Sequence, residues 1–238
     1  MNKRFVGKIM QWTLVSLACV VMVIVCVTPY RVQAALTITS SIIDDWAAVA
    51  EGATDESTVI ALSANYATFV HIQAFTDMND AHEGTLFSIQ VSGAAAGDED
   101  WSELTQFIAL VGDGDSEPID DDPLDATDTT IVVSDTGGGY ETEPMGKWIA
   151  IEDGTLINSE LCWITGFTTD TNITVLDGVT NAHAVSTLLW DVAMSRTIMI
   201  PFGSGARAKV ICMNGYDIDG TASSLNWKVG KTVTTALN

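Results

Sequence analysis

The sequence predicts an all-β protein, an antiparallel β-sandwich of the jelly-roll or Ig-like kind that carries a small inserted β-module. Three observations predict it. Beyond residue 34 the chain consists of short runs rich in Val, Ile, Thr, Phe and Trp. Clusters of Gly, Asp, Asn and Ser separate these runs, as the turns of a sandwich require. Helical periodicity is scarce. Only 100–107, where Trp101, Leu104 and Phe107 are spaced i, i+3, i+6, suits one short helical turn.

Taken in order, residues 1–34 read as an export segment. Lys3, Arg4 and Lys8 precede an almost continuously apolar stretch at 9–27, and Val32 and Ala34 are small enough for signal-peptidase cleavage before Ala35. The same stretch nearly suffices as an uncleaved membrane anchor. In either case the cationic N-terminal flank places the remainder outside the cytoplasm, secreted or at a cell surface. Strands are expected at 58–62, 68–75, 86–91, 107–111, 130–133, 148–151, 161–165, 173–176, 188–193, 196–201, 206–213 and 225–229. Several alternate cleanly: Ala208, Val210 and Cys212 share one face of 206–213, with Arg207 and Lys209 on the other.

One stretch interrupts this rhythm. Residues 112–128 read GDGDSEPIDDDPLDATD, with two prolines and eight acids, and cannot form an interior strand. The expected organisation is therefore a parent sandwich from 35–119 and 188–238, with the module inserted at 120–187. A single sandwich with one long acidic loop is the alternative.

Within the insert, five groups occur in order: Thr129-Thr130-Ile131-Val132-Val133, Gly146-Lys147-Trp148-Ile149-Ala150-Ile151-Glu152-Asp153-Gly154, Ser159-Glu160, Asn172-Ile173-Thr174-Val175 and Asn181-Ala182-His183-Ala184. Over 129–184 this cadence resembles the small β-modules of tailed-phage virion structural proteins. Asp177-Gly178 stands where those modules usually have Arg-Gly. The resemblance implies a sheet-rich, non-catalytic structural role, and it carries over no catalytic residue.

Charge narrows the partners. The chain has 10 basic and 31 acidic residues, a net charge of −21. Four basic residues and no acid lie in 1–34, so the rest carries 6 basic residues against 31 acidic ones, or −25. Such a surface repels nucleic acid and anionic lipid, which leaves membrane contact to the N-terminal segment alone. Protein partners or self-assembly are expected.

Chemistry-bearing residues are few. Asp113, Asp115 and Glu117 in the acidic run, and Asp217 and Asp219 in the 214–221 turn, could present hard oxygen ligands to calcium, the one cofactor the sequence suggests. The first set departs from an EF-hand, with Pro118 where Gly is needed and Leu124 where the closing Glu belongs. A solvated acidic loop explains the same residues. Trp101 and Tyr140, beside loops, are candidate platforms for a glycan, as is Trp46. Trp148, Trp163 and Trp227 fall within strands, where a core position is expected. Cys162 and Cys212, the two cysteines outside the export segment, could pair as a disulfide in an oxidising compartment or remain separate buried thiols. No nucleophile elbow is present, and His71, His82 and His183 are scattered, so no catalytic set is assigned. The expected function is a non-enzymatic, exported structural or adhesive protein of a cell surface or extracellular assembly. A phage-like virion structural protein and a calcium-dependent carbohydrate-binding module are the alternatives.

Overall fold

The computed structural model describes residues 36–76, 84–94, 96–111, 116–121, 123–134, 146–169, 171–201, 206–215 and 224–236. The chain divides into two units, Thr37–Thr235 and a second made of Met1–Leu36 with Ala236–Asn238. The export segment expected at 1–34 lies outside the described residues. Among the described residues no helix is long and apolar enough to cross a membrane.

Fifteen strands account for the described fold: β1 (Leu36–Ala50), β2 (Thr54–Glu56), β3 (Ile60–Ala61), β4 (Thr68–Thr76), β5 (Thr85–Ser92), β6 (Ser102–Ala109), β7 (Ser116–Pro118), β8 (Thr130–Val132), β9 (Trp148–Glu152), β10 (Glu160–Thr169), β11 (Asn172–Val175), β12 (Leu188–Trp190), β13 (Ala193–Ile200), β14 (Arg207–Met213) and β15 (Ser224–Ala236). The protein is all-β, as its alternating apolar runs predict.

Eight of these strands form a sandwich of two sheets, ordered β1-β15-β4-β13 and β2-β14-β5-β6, with β3 added beside β14. Numbered along the sandwich alone, the strands pair first with eighth, second with seventh, third with sixth and fourth with fifth. That is a long antiparallel ribbon rolled upon itself, a jelly roll. Its registers are regular: β4 pairs with β13 from Phe75↔Ala193 to Thr68↔Ile200 without a slip. Inward residues alternate as the pleat demands. Val70, Ile72 and Ala74 of β4, with Leu225, Trp227 and Val229 of β15, face Phe87, Ile89, Ala208, Val210 and Cys212 of the other sheet.

The remaining six strands form a second sheet, ordered β7-β12-β9-β10-β11-β8. Its two ends meet, because Ile119 bridges Val133 and the Asp120 and Ser134 amides donate to the carbonyls of Val132 and Pro118. The sheet is thus closed into a small barrel. It is filled by aliphatic side chains, among them Ile119, Leu124, Ile131, Ile149, Ile151, Ile164 and Ile173. A third apolar cluster of Trp46, Phe75, Ala150 and Trp190 seats the barrel on the sandwich. Trp46 contributes an edge-on contact to Phe75 at 5.3 Å and donates its indole N–H to the Ser159 carbonyl at 2.6 Å.

Three details depart from the sequence expectations. The span at 100–107 forms no helical turn. Ser102–Ala109 is the edge strand β6, in which Thr105, Phe107 and Ala109 alternate inward against β5. β1, β2 and β7 are additional strands, and β7 draws Ser116–Pro118, from the acidic stretch expected to hold no interior strand, into the barrel sheet. Finally, β7 and β12 belong to the barrel sheet rather than to the sandwich, so the inserted sheet runs from Ser116 to Trp190. Pro118 is tolerated there because it is the last residue of a three-residue strand and still accepts at its carbonyl from the Ser134 amide.

Candidate functional site

On β9 and β10 the alternation that sends Ile149, Ile151, Cys162 and Ile164 into the barrel sends Trp148, Leu161 and Trp163 outward. Trp148 and Trp163 are directly paired across the two strands, and their rings meet edge to face, 5.0 Å apart at 68°. Both are half-buried. They line a cleft of about 550 Å³ with Gln73 of the sandwich and Glu160, Leu176, Asp177 and Thr180 of the barrel. The expectation of a core position for these two tryptophans is therefore corrected. Trp46, expected at the surface, is buried at the junction. The signal was present in the sequence: isoleucines at 149 and 151 commit the neighbouring even position to the outside.

Glu160 is fixed at the cleft by three bonds, accepting from the Thr180 and Asn181 amides at 2.7 and 3.0 Å and meeting His183 Nε2 at 2.7 Å. Burial alone would raise its pKa, yet the bonds from His183, Asn181 and Thr180 hold it below the usual carboxylate value. A group so held is an ionised acceptor and unsuited to act as a general acid. His183 is fully buried, and its other nitrogen meets Asp153 at 3.2 Å. Burial would depress the imidazole pKa, but the two carboxylates raise it above its ordinary value. With a carboxylate on each ring nitrogen, both positions favour an N–H, so the pair of acids holds an imidazolium.

Gln73 also lines a second, shallower groove of about 580 Å³ on the outer face of the sandwich, with Ser40, His71, Lys228, Gly230 and Thr232. Across that face runs a polar ladder spanning all four strands of the sheet. Thr197 meets His71 Nδ1 at 2.9 Å, His71 Nε2 meets Thr232 at 2.8 Å, and Thr232 meets Ser40 at 2.8 Å. Burial lowers the His71 pKa, so the ring is neutral and donates from one nitrogen while accepting at the other.

The residues singled out from the sequence are dispersed. Trp101 stands before β6, half-buried, with the Lys209 ammonium 5.0 Å from its ring centre. Tyr140, Asp113, Asp115, Asp217 and Asp219 lie outside the described residues. Glu117 is buried on β7, where Leu189 opposes it. Among the described residues no group of three or more His, Cys, Asp or Glu side chains is placed to hold a metal ion. Of the two alternatives for Cys162 and Cys212, a disulfide or separate buried thiols, the structure has the second: both are free, one in the barrel core and the other in the sandwich core. Burial pushes the Cys162 thiol up to about 12 and raises Cys212 as well, so both behave as small hydrophobes.

No protein-family model and no curated protein matches the chain. Among solved structures it is similar to VP17, a capsid protein of bacteriophage P23-77, at 11% identity over 85% of this chain and 100% of that one, with a TM-score of 0.19. It is also similar to a structure of infectious bursal disease virus Gt strain, at 9% identity over 89% of this chain and 44% of that one, TM-score 0.21. A third is alginate lyase A1-II', a member of polysaccharide lyase family-7, at 10% identity over 75% and 66% of the two chains, TM-score 0.22. Likenesses this weak have no bearing on function.

Proposed function

We propose that this chain is a non-enzymatic structural subunit that assembles side by side with copies of itself into an extracytoplasmic protein layer. The observation that carries the reading is the placement of exposed apolar side chains on edge strands. Ile38 and Ile42 project from β1, an edge of one sheet, at 63% and 57% exposure. Leu104 and Ile108 project from β6, an edge of the other, and exposed Val111 follows it. These edges are on opposite flanks of the sandwich. β1 lies over the β2 flank, where Asp44 accepts from Thr58, whereas β6 lies under β13, whose Arg196 sits 3.9 Å above the Phe107 ring. Exposed apolar edges are templates for association, and two different edges on opposite flanks suit head-to-tail contacts.

The polar groups support the same reading. Described histidines and clustered acids are engaged in holding the fold, as with His183 between Asp153 and Glu160. The apolar run at 9–27 supports delivery to or across a membrane. Electron microscopy and light scattering of the full chain test the proposal. Lateral arrays or large oligomers are expected, and the double variant Ile42→Lys, Ile108→Lys disperses them. A monomer at all concentrations sinks the proposal. Closed particles released from cells, in place of a cell-bound layer, would make the chain a virion coat component.

A further inference from the structure

The cleft at Trp148 and Trp163 and the groove at His71 both reach Gln73, so an extended ligand lying over that side chain would occupy the two as one trough. Its two ends differ in chemistry. At the barrel end, two indoles set nearly at right angles make an aromatic corner, flanked by the Glu160 and Asp177 carboxylates. Along the sheet face the trough offers an amide from Gln73 and hydroxyls from Ser40 and Thr232, the latter bonded to His71, with Ile42, Lys228 and Lys231 along the same groove. Gln73 and His71 are two residues apart on β4, about 7 Å by strand geometry. Gly230 keeps the floor low, since it places no side chain between Ser41 and His71.

Indole faces stack on the apolar C–H face of a pyranose, and hydroxyl and amide groups bond its ring hydroxyls. A run of such groups beside an aromatic corner suits a chain of sugars better than a single one. Lys228 and Lys231 line the groove end, Lys228 being paired with Asp45 at 2.9 Å, but the Glu160 and Asp177 carboxylates at the stacking corner and the net charge of −21 disfavour uronates and other anionic sugars there. We propose that this trough binds a segment of a neutral polysaccharide, with Trp148 and Trp163 stacking one residue and Gln73 and Thr232, the latter held in place by His71, bonding the next. Ile42 of β1 lines the groove end of the trough, so the two roles are told apart at the Trp148–Trp163 corner, which edge-to-edge assembly does not use.

The test is calorimetric titration of the full chain with cellohexaose, chitohexaose and maltohexaose, using a polygalacturonate oligomer as the anionic control. At least one neutral hexasaccharide is expected to bind, and the anionic control is not. Trp163→Ala should weaken that binding by about tenfold or more, as loss of a central aromatic anchor does. Trp163→Tyr should retain most of it, and Gln73→Ala should weaken it several-fold. Trp101→Ala, outside the trough, should leave it unchanged. The inference is overturned if none of the neutral hexasaccharides binds, or if binding survives Trp163→Ala undiminished. It is equally overturned if Trp163→Ala breaks up oligomers without any sugar being bound, which would make the trough a contact between copies. Failure of the assembly proposal alone would leave these titrations unchanged.

Discussion

The jelly roll and the barrel solve the problem of burying a sheet in opposite ways. The sandwich is built mainly on long strands, up to 15 residues in β1, with the short β2 and β3 beside β14, and its core includes large rings such as Phe87 and Trp227. The barrel uses strands as short as three residues, and its buried core is almost wholly aliphatic. Short strands give up ladder bonds and contact area, and closure recovers both by removing the sheet edges. The barrel then adds a polar clasp, His183 between Asp153 and Glu160, while its backbone bridges Leu124. Stability in the sandwich therefore resides in large apolar side chains spread over two faces. In the barrel it is concentrated at the points that keep the ring shut.

The largest expected effect lies in the sandwich. Trp227→Ala should cost about 4 kcal/mol, the usual penalty for emptying a buried aromatic site. It also removes the indole donor to Asp55 at 3.0 Å. Because the barrel core is a separate cluster, the near-UV circular dichroism of the Trp148–Trp163 pair should outlast the far-UV loss in a denaturant titration. Simultaneous loss of both signals would show that the two cores unfold as one. Next comes the clasp: His183→Ala leaves two largely buried carboxylates facing each other and should cost about 3 kcal/mol, read as early loss of the same near-UV band.

A smaller effect is expected at Gly178. A Cβ there would collide with the backbone of Thr127, which itself sits at φ 82°. Gly178→Ala should cost about 2 kcal/mol through overpacking, and unlike His183→Ala its cost should not vary with pH. The two histidines sharpen the contrast further. The raised pKa of His183 means its stabilisation is complete below the ordinary imidazole value of 6.5 and is lost as pH rises through the folded-state value. His71, lowered by burial, stabilises above 6.5 and loses its contribution as pH falls through its folded-state value. Chemical denaturation of His183→Gln and His71→Gln across pH should give difference curves of opposite slope. Equal slopes would contradict the assigned charge states. The smallest expected effect is none: a thiol reductant should leave the thermal midpoint of the folded chain unchanged, since Cys162 and Cys212 are free.

Much of the fold was legible in the sequence because alternation is a local signal. β4, β5, β9 and β14 fall where their apolar residues recur at every second position. β1 was not legible. Asp44, Asp45 and the Ala-rich end give it neither alternation nor strong β propensity, and its conformation is set by pairing with β15, far away in sequence. β6 was misread because three apolar residues at helical spacing also fit an edge strand with one exposed face. The trough was half legible. The outward direction of Trp148 and Trp163 follows from their isoleucine neighbours, but no periodicity reveals that Gln73, on another sheet, completes the cleft. Trp101 was favoured for its nearness to a loop, which gives exposure but no second wall.

The place of the insertion has a kinetic consequence. β6 ends at Ala109 and β13 begins at Ala193, so an 83-residue gap separates the fifth and sixth strands of the roll, and it must be spanned before the sixth can pair with the third. The barrel resolves this, because Ser116 and Trp190, where the chain enters and leaves it, are paired neighbours on β7 and β12. Once the barrel has formed, the gap behaves as a connection of roughly ten residues, and each halving of a loop relieves about 0.6 kcal/mol of closure entropy, or about 2 kcal/mol in all. Refolding should therefore be biphasic, with the barrel's near-UV signal arriving before the sandwich is complete, and Gly178→Ala should delay both phases. The insert acts as a folding clamp for the domain that surrounds it.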